Sequence, residues 1–302
     1  MNLLTLFAKF QDNKEAIKYL EQIRWKNGVI CTKCSSNKTC KHREQTKTRW
    51  QCWNCHHIFN VTVGTIFHHS HIPLNKWFML IALMLNAKKG LSAYQASRDL
   101  GIRRPTVWSM MHRIRKAMIT DQLELLKGIV EMDETYVGGK PRKSSKKKDD
   151  NNDDDLPKNK RGRGTKKEPV VGAIERQGNV KIQQVGKNTL NTKGLQNFVR
   201  KNMDTSEIIL ITDEYAGYNN MNKVVPHLTV NHRTEYVNGD IHTNTIESFW
   251  AILKRGIMGQ FHWVSKKYLQ SYLGEFEYRY NRRNEDSNSV FNNLLQNGVL
   301  IR

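Results

Sequence analysis

The chain has 302 residues, 38% apolar and 25% charged, which suits one large catalytic domain with small modules beside it. Lys and Arg outnumber Asp and Glu by 49 to 28, a formal charge of +21 that favours a polyanionic partner, nucleic acid first and an anionic membrane surface second. No apolar run approaches the roughly 18–20 residues of a membrane span, and "MNLLTLFAKFQDNKEAIKYL" lacks the basic start and cleavage site of a secretory signal, so a cytosolic protein without membrane association is expected.

In chain order, residues 1–30 hold a helical pattern, "NKEAIKYLEQIRW", that leads into the cysteines. All five cysteines lie between positions 31 and 55, and four form the pairs "CTKC" (31–34) and "CWNC" (52–55). The spacing C-x2-C-x17-C-x2-C falls in the window of a four-thiolate zinc site, each pair sitting on a tight knuckle that turns both sulfurs to one metal. Free or disulfide-bonded cysteines are the alternative, disfavoured in a cytosolic chain with such pairing. One structural Zn²⁺ on Cys31, Cys34, Cys52 and Cys55 is therefore expected, with Cys40, His56 and His57 outside the set. The strand-like "HHIFNVTVGT" then extends a zinc ribbon over 31–70.

Residues 71–120 read as helices. "PLNKWFMLIALMLNAKKG" (73–90) starts near Pro73 and stops at Gly90. Within "LSAYQASRDLGIRRPTVWSMMHRIRKAM" (91–118), a first helix, a glycine-containing turn and a helix from Thr106 to Met118 follow one another. Val107, Met110, Met111 and Ile114 share one side of the second helix, amid Arg103, Arg104, Arg113, Arg115 and Lys116. This is a helix-turn-helix pattern; periodicity alone also describes a plain helical hairpin, but the position after a zinc ribbon in a basic chain favours the former. Its candidate DNA-contacting side chains are Arg103, Arg104, Thr106, Ser109 and Arg113.

Strands follow: "GIVEMDETYVGG" (128–139), "PVVGAIERQGNVKIQQV" (169–185) and "EIILITDEYAGY" (207–218), with helical "TKGLQNFVRKNM" (192–203) between the last two. The segment 140–168 has almost no apolar residues and segregated charges, so it reads as a disordered insertion and its aspartates are left out of any catalytic site. Residues 243–285 hold two helical segments joined around "GIMGQFHWVS", and 286–302 read as a C-terminal tail.

Asp133 and Asp213 each end an apolar strand, where a charge is costly unless a metal or partner compensates it. Taken singly, each could equally cap a turn. Glu134 and Glu214 follow directly and would point to the opposite face. Downstream, "TNTIESFWAILKRG" (243–256) puts Glu247 and Lys254 seven residues apart, on one helix face about 10 Å from each other, with Ile246, Leu253 and Ile257 as the buried stripe. Either charge alone could be an ordinary solvated residue. Two strand-end aspartates and a helical acid together suit Mg²⁺ or Mn²⁺, and two such ions can activate the attacking oxygen and stabilise the leaving one in phosphoryl transfer.

With these stretches on the page, together with "DETYVGGK", "TDEYAGY", "HTNTIESFWAILKRGI" and "EFEYRYNRR", the chain resembles a bacterial insertion-sequence transposase of the DDE type with an N-terminal zinc ribbon. The resemblance covers nearly all of the chain except 140–168. It implies that 128–285 is an α/β ribonuclease-H-like catalytic domain with a mixed five-stranded sheet, following the ribbon and the helix-turn-helix. It implies Asp133, Asp213 and Glu247 as ligands of two Mg²⁺ or Mn²⁺ ions, Asp133 bridging both, and Lys254 as a DNA contact. Asn244 or His242 could replace Glu247, since some relatives carry Asn or His as the third member. The implied partners are double-stranded transposon ends and target DNA, bound by a homodimer or larger assembly at the bacterial nucleoid. "YRYNRR" (278–283) could clamp phosphates or bury its tyrosines beneath exposed arginines. The competing classes are a domesticated DNA-binding regulator and a metal-dependent nuclease on the same fold. A regulator would be free to lose the acids, which are all present.

Overall fold

The computed structural model describes residues 3–42, 48–119, 124–138, 167–230 and 242–300; the insertion 140–168 falls outside these except for its last two residues. The chain divides into two units, Met1–Gln122 with Arg282–Arg302, and Leu123–Asn281.

In the first unit, α1 (Leu3–Lys9) and α2 (Asn13–Arg24) precede a ribbon of three short antiparallel strands, β1 (Thr39–Lys41), β2 (Trp50–Cys52) and β3 (Ile58–Phe59). α2 starts where the Asp12 carboxylate accepts from the Glu15 N–H, satisfying one of the free donors of the first turn. α3 (Leu74–Asn86) begins directly after Pro73 and buries Trp77, Phe78, Leu80 and Ile81. α4 (Ala93–Leu100) is capped by Ser92 on the Gln95 N–H and ends at Gly101, whose φ of 62° is the left-handed conformation that a glycine adopts without Cβ strain. Ile102 and Arg103 complete the turn into α5 (Arg104–Ile119), where Pro105 is tolerated because it lies in the first turn.

The stretch 286–302, expected to be a tail, contains α9 (Ser287–Leu300). Val290, Phe291, Leu294 and Leu295 are buried, and the Phe291 ring lies edge-on to Phe78 of α3 at 5.7 Å. Its apolar residues at i, i+1, i+4 and i+5 form a helical stripe amid asparagines, whose polarity hid the pattern. The C-terminus thus completes the core of the N-terminal unit.

The second unit is a five-stranded sheet in the order β6-β5-β4-β7-β8, made of β4 (Leu126–Val137), β5 (Glu168–Glu175), β6 (Val180–Gln184), β7 (Met203–Asp213) and β8 (His227–Val230). β4, β5 and β6 pair antiparallel, whereas β7 and β8 run parallel to β4, so the sheet is mixed as expected. The sequence stretch 169–185 is a hairpin of two strands, turned at Gln177 (φ 63°) and Gly178. β8 has four residues and escaped the sequence reading for want of length.

Alternation along β4 separates two cores. Val130 and Met132 pack with α6 (Thr192–Asn202) through Leu195, Phe198 and Val199. Val137 on the other face packs with α7 (Asn244–Gly256) and α8 (Lys266–Asn281) through Ile246, Phe249, Trp250, Leu253 and Leu273. The edge strand β6 is covered by α8: Gln270, Glu277 and Asn281 side chains accept from the Gln184, Ile182 and Val180 N–H groups at 2.8, 3.0 and 2.7 Å. This satisfies donors that would otherwise invite another strand. The "YRYNRR" cluster is therefore largely architectural: Tyr278 is buried, Tyr280 meets Phe249 edge-on, and Arg279 lies over the Phe276 ring.

Candidate active site and zinc site

The four paired cysteines converge. Their sulfurs all lie within 4.8 Å of one another, with Cys31–Cys55 and Cys34–Cys52 at 3.6 Å. A tetrahedral Zn–S₄ centre with bonds of about 2.3 Å has sulfur–sulfur edges of about 3.8 Å, so the donor set fits zinc. Each knuckle turns on a left-handed residue just after its second cysteine, Ser35 (φ 58°) and His56 (φ 53°). A hydrogen bond from the Ser36 backbone holds Cys34 down to about 6. Cys55 goes the other way, to about 12: the His57 backbone favours its thiolate, but desolvation and the other sulfurs outweigh it. Four clustered thiols resist ionising together until a cation lies among them. Cys40 and His57 stay outside the quartet, as expected.

In the second unit, the parallel register of β4 and β7 sets Val130 against Leu210 and Glu131 against Ile211. The pairing ends there; two residues further along each strand stand Asp133 and Asp213, the last residue of β7, near enough for the Asp213 charge to act on Asp133. Alternation puts both side chains on the face that carries α7. The Asp133 carboxylate accepts from the Glu134 N–H at 2.8 Å and from the Trp250 indole N–H at 3.0 Å. Asp213 accepts from the Tyr215 N–H at 3.1 Å, so it does cap a turn while also facing Asp133. Glu134 points to the opposite face, where the buried Tyr218 hydroxyl donates to it at 3.0 Å.

Burial, first, and the neighbouring charges of Glu134 and Asp213 push the Asp133 carboxyl up to about 7, although the Glu134 and Trp250 N–H groups favour its ionised form. Between pH 4 and 7 the folded state therefore holds a proton that the unfolded chain has released, and the stability of the metal-free protein falls as pH rises through that window, by about 1.4 kcal/mol per unit. With zinc bound but no Mg²⁺ or Mn²⁺ added, Asp133→Asn is expected to be more stable than wild type at pH 8, with the gain vanishing towards pH 4. Urea melts of both proteins at the two pH values check this; equal stability at pH 8 would contradict it.

Gly172 of β5 sits opposite Asp133 and beneath Trp250, where a Cβ would come within 2.5 Å of the indole Cη2. Gly172→Ala should displace the indole from Asp133 and cost about 1–3 kcal/mol, seen as a lower urea midpoint with unchanged slope.

Glu247 lies in the first turn of α7 and is exposed, as are Asn244 and Lys254. At about 100° per residue, Glu247 is about 60° and Lys254 about 40° around the helix from Trp250, on the same side, while Asn244 is about 120° away. Glu247 and Lys254 thus flank the indole that touches Asp133. His242 is engaged elsewhere: its Nδ1 lies 3.3 Å from Glu131. Among the described residues the cysteine quartet is the one metal-type cluster already closed to within 4.8 Å; the three acids are not gathered so tightly.

Of the five candidate DNA contacts, Arg103, just before α5, and Arg104 and Ser109 on it are exposed, and Thr106 is half-buried. Arg113 departs from the expectation: it is turned inward, donating to the His68 carbonyl and lying over the Trp77 ring at 5.3 Å. Burial lowers its pKa. Arg115, of the same basic cluster, is fully buried. Trp108, one turn after Arg104, is exposed, although an aromatic in a helical pattern reads as core. Glu131 adds a second carboxylate to the Asp133 face of β4. Its signal is an acid two residues before Asp133, hence on the same strand face.

A four-cysteine ribbon thus precedes a mixed sheet in which Asp213 ends β7, as expected, whereas Asp133 stands inside its parallel neighbour β4, which runs four residues further to Val137. Residues 125–281 match the family model described as the ISXO2-like transposase domain, and residues 11–58 match the transposase zinc-ribbon domain. The chain belongs to the ISXO2-like transposase family. It is 29% identical over 279 residues to a protein of the transposable element ISH50 of Halobacterium salinarum, covering 89% of this chain and 91% of the relative. Solved structures similar to it include the Mos1 strand transfer complex (12% identity, TM-score 0.31, 72% of this chain and 73% of that one) and a pre-cleavage Mos1 transpososome (11%, 0.30, 72% and 73%). Likeness at that level fixes no residue correspondence. No described helix is long and apolar enough to cross a membrane.

Proposed function

We propose that this chain cuts the ends of its insertion sequence and joins the freed 3′-OH to target DNA, through a ribonuclease-H-like domain that uses two divalent ions. The observation that supports the reading is the buried Asp133 carboxylate, held by the Trp250 indole of α7 and acted on by the charge of Asp213 from the parallel neighbour β7. Asp133, Asp213 and Glu247 would hold Mg²⁺ or Mn²⁺, which when bound activates the attacking oxygen and stabilises the leaving one. Trp250 orients the Asp133 carboxylate by its indole N–H, and a proton on Asp133 must leave before the carboxylate can act as a ligand. Lys254, on the Glu247 side of α7, is placed to meet a DNA phosphate.

The zinc ribbon, holding one Zn²⁺, and the α4–α5 pair acting as a helix-turn-helix would bind the inverted repeats. Arg103, Arg104, Thr106 and Ser109 supply the contacts, and Arg113 supports the scaffold. Two ends must meet, so a homodimer or larger assembly forms on DNA, at the nucleoid.

Incubation with Mg²⁺ and DNA bearing the element's own ends tests this. Cleaved ends and joined products are expected. Binding with neither product would indicate a regulator, and cleavage without joining a nuclease.

A further inference from the structure

Glu131 is fully buried in the middle of β4, where an unpaired carboxylate would be costly. Its Oε2 accepts from the backbone N–H groups of Thr245 at 2.8 Å and Ile246 at 3.1 Å. Its Oε1 accepts from the Thr245 hydroxyl and from Arg176 Nε, both at 2.9 Å, and lies 3.3 Å from His242 Nδ1. Arg176 also donates to the His242 carbonyl at 3.1 Å, fixing the chain just before α7.

The two backbone donors are the second and third of α7, the groups that an N-cap side chain normally satisfies. Thr243 stands at the N-cap position and provides no side-chain cap. The cap therefore comes from another element, and it brings a full negative charge to the positive end of the helix dipole. Glu131 lies two residues before Asp133 on the same strand face, and Glu247 follows Ile246 directly. One strand thus carries a candidate ligand and the peg that holds the helix bearing another. From Thr245 to Trp250 the helix advances about 7.5 Å, close to the roughly 6.7 Å between Glu131 and Asp133, so the two hydrogen-bonded points fix α7 along β4.

We propose that Glu131 is a positioning residue of the transposase site: by capping α7 from β4, it sets where Glu247 stands relative to Asp133. The inference rests on the acid-site reading above. It requires the length of a glutamate as well as its charge. Glu131→Asp keeps the charge but falls about one methylene short of the helix. Glu131→Gln keeps the length but turns a donor towards donors.

The test uses the full chain and two readouts. Hydrogen exchange, without added metal, is expected to speed at least about tenfold in residues 244–250 in both variants, with β4 and the zinc ribbon still protected. Mn²⁺ affinity, followed by titration calorimetry, is expected to weaken at least about tenfold in both, and Asp133→Ala is the reference that loses binding altogether. Wild-type exchange in 244–250, or wild-type Mn²⁺ affinity in both variants, would overturn the proposal. So would a loss of affinity that merely follows global unfolding, seen as equal loss of protection throughout the second unit. If Asp133→Ala itself binds Mn²⁺ normally, the acid-site reading fails, and the positioning role falls with it. If Asp133→Ala loses Mn²⁺ while the Glu131 variants keep it, only the positioning role fails.

Discussion

Asp133→Ala and Asp213→Ala are each expected to lower strand cleavage and joining by at least about a thousandfold, with affinity for end DNA kept within about threefold. A thousandfold corresponds to about 4 kcal/mol of transition-state stabilisation, the scale expected when an ion that neutralises developing charge is lost. Binding survives because the candidate DNA contacts of α5 belong to a different unit of the chain. The loss will not reflect unfolding. Asp133 is held partly protonated by burial, so replacing it removes an electrostatic cost that offsets the two hydrogen bonds lost, from the Glu134 N–H and the Trp250 indole. Glu247→Ala should follow with at least about a hundredfold loss, whereas Asn244→Ala stays near wild type, because Asn244 lies further round α7 from Trp250. Gel assays on labelled end DNA, paired with fluorescence anisotropy for binding, separate the two quantities. An Asp213→Ala enzyme that still joins ends would remove Asp213 from the site, and equal losses at Asn244 and Glu247 would reopen the choice of third ligand.

Loss of zinc is the second large effect. The ribbon strands have three, three and two residues, and the core beside the cysteines is little more than Trp25, Val29, Trp50 and Phe59. So small a core cannot hold a fold without the metal, which supplies on the order of 10 kcal/mol in comparable sites. Cys52→Ser, at a fully buried position, is expected to release the single zinc seen by native mass spectrometry. It should also lower affinity for the element's ends by at least about a hundredfold, leaving weak, salt-sensitive binding to any DNA through the +21 charge. A Cys52→Ser protein that retains zinc, or binds the ends as wild type does, would contradict this.

Sequence carried the parts of this molecule that obey local rules. The C-x2-C spacing announced the quartet because two knuckles need only short-range turns, which Ser35 and His56 provide. The Pro73 start and the glycine-containing turn after Leu100 are local signals as well, and both held, whereas α3 stops at Asn86, four residues before the expected Gly90. Asp213 does end its strand, but β4 runs past Asp133 to Val137, and the placement of the two acids on neighbouring strands depends on a parallel pairing that no local pattern encodes. What stayed hidden was tertiary. Arg113 and Arg115 look like surface cations until the fold supplies the His68 carbonyl, the Trp77 ring and a buried setting. Glu131 looks like one more strand acid until Thr245, Ile246 and Arg176, all more than forty residues away, converge on it. The polar composition of α9 concealed a buried face because asparagine lowers the mean without breaking the stripe.

The account stands most directly on where the cations bind. Anomalous scattering from Mn²⁺ in crystals of the protein bound to its end DNA locates them without reference to any activity. Two peaks about 3.5–4 Å apart are expected. One should be shared between the Asp133 and Asp213 carboxylates and the other should lie against Asp133 and Glu247. Manganese bound only at other residues, or none beside Asp133 at saturating concentration, would contradict the two-ion site on which the proposed reaction depends.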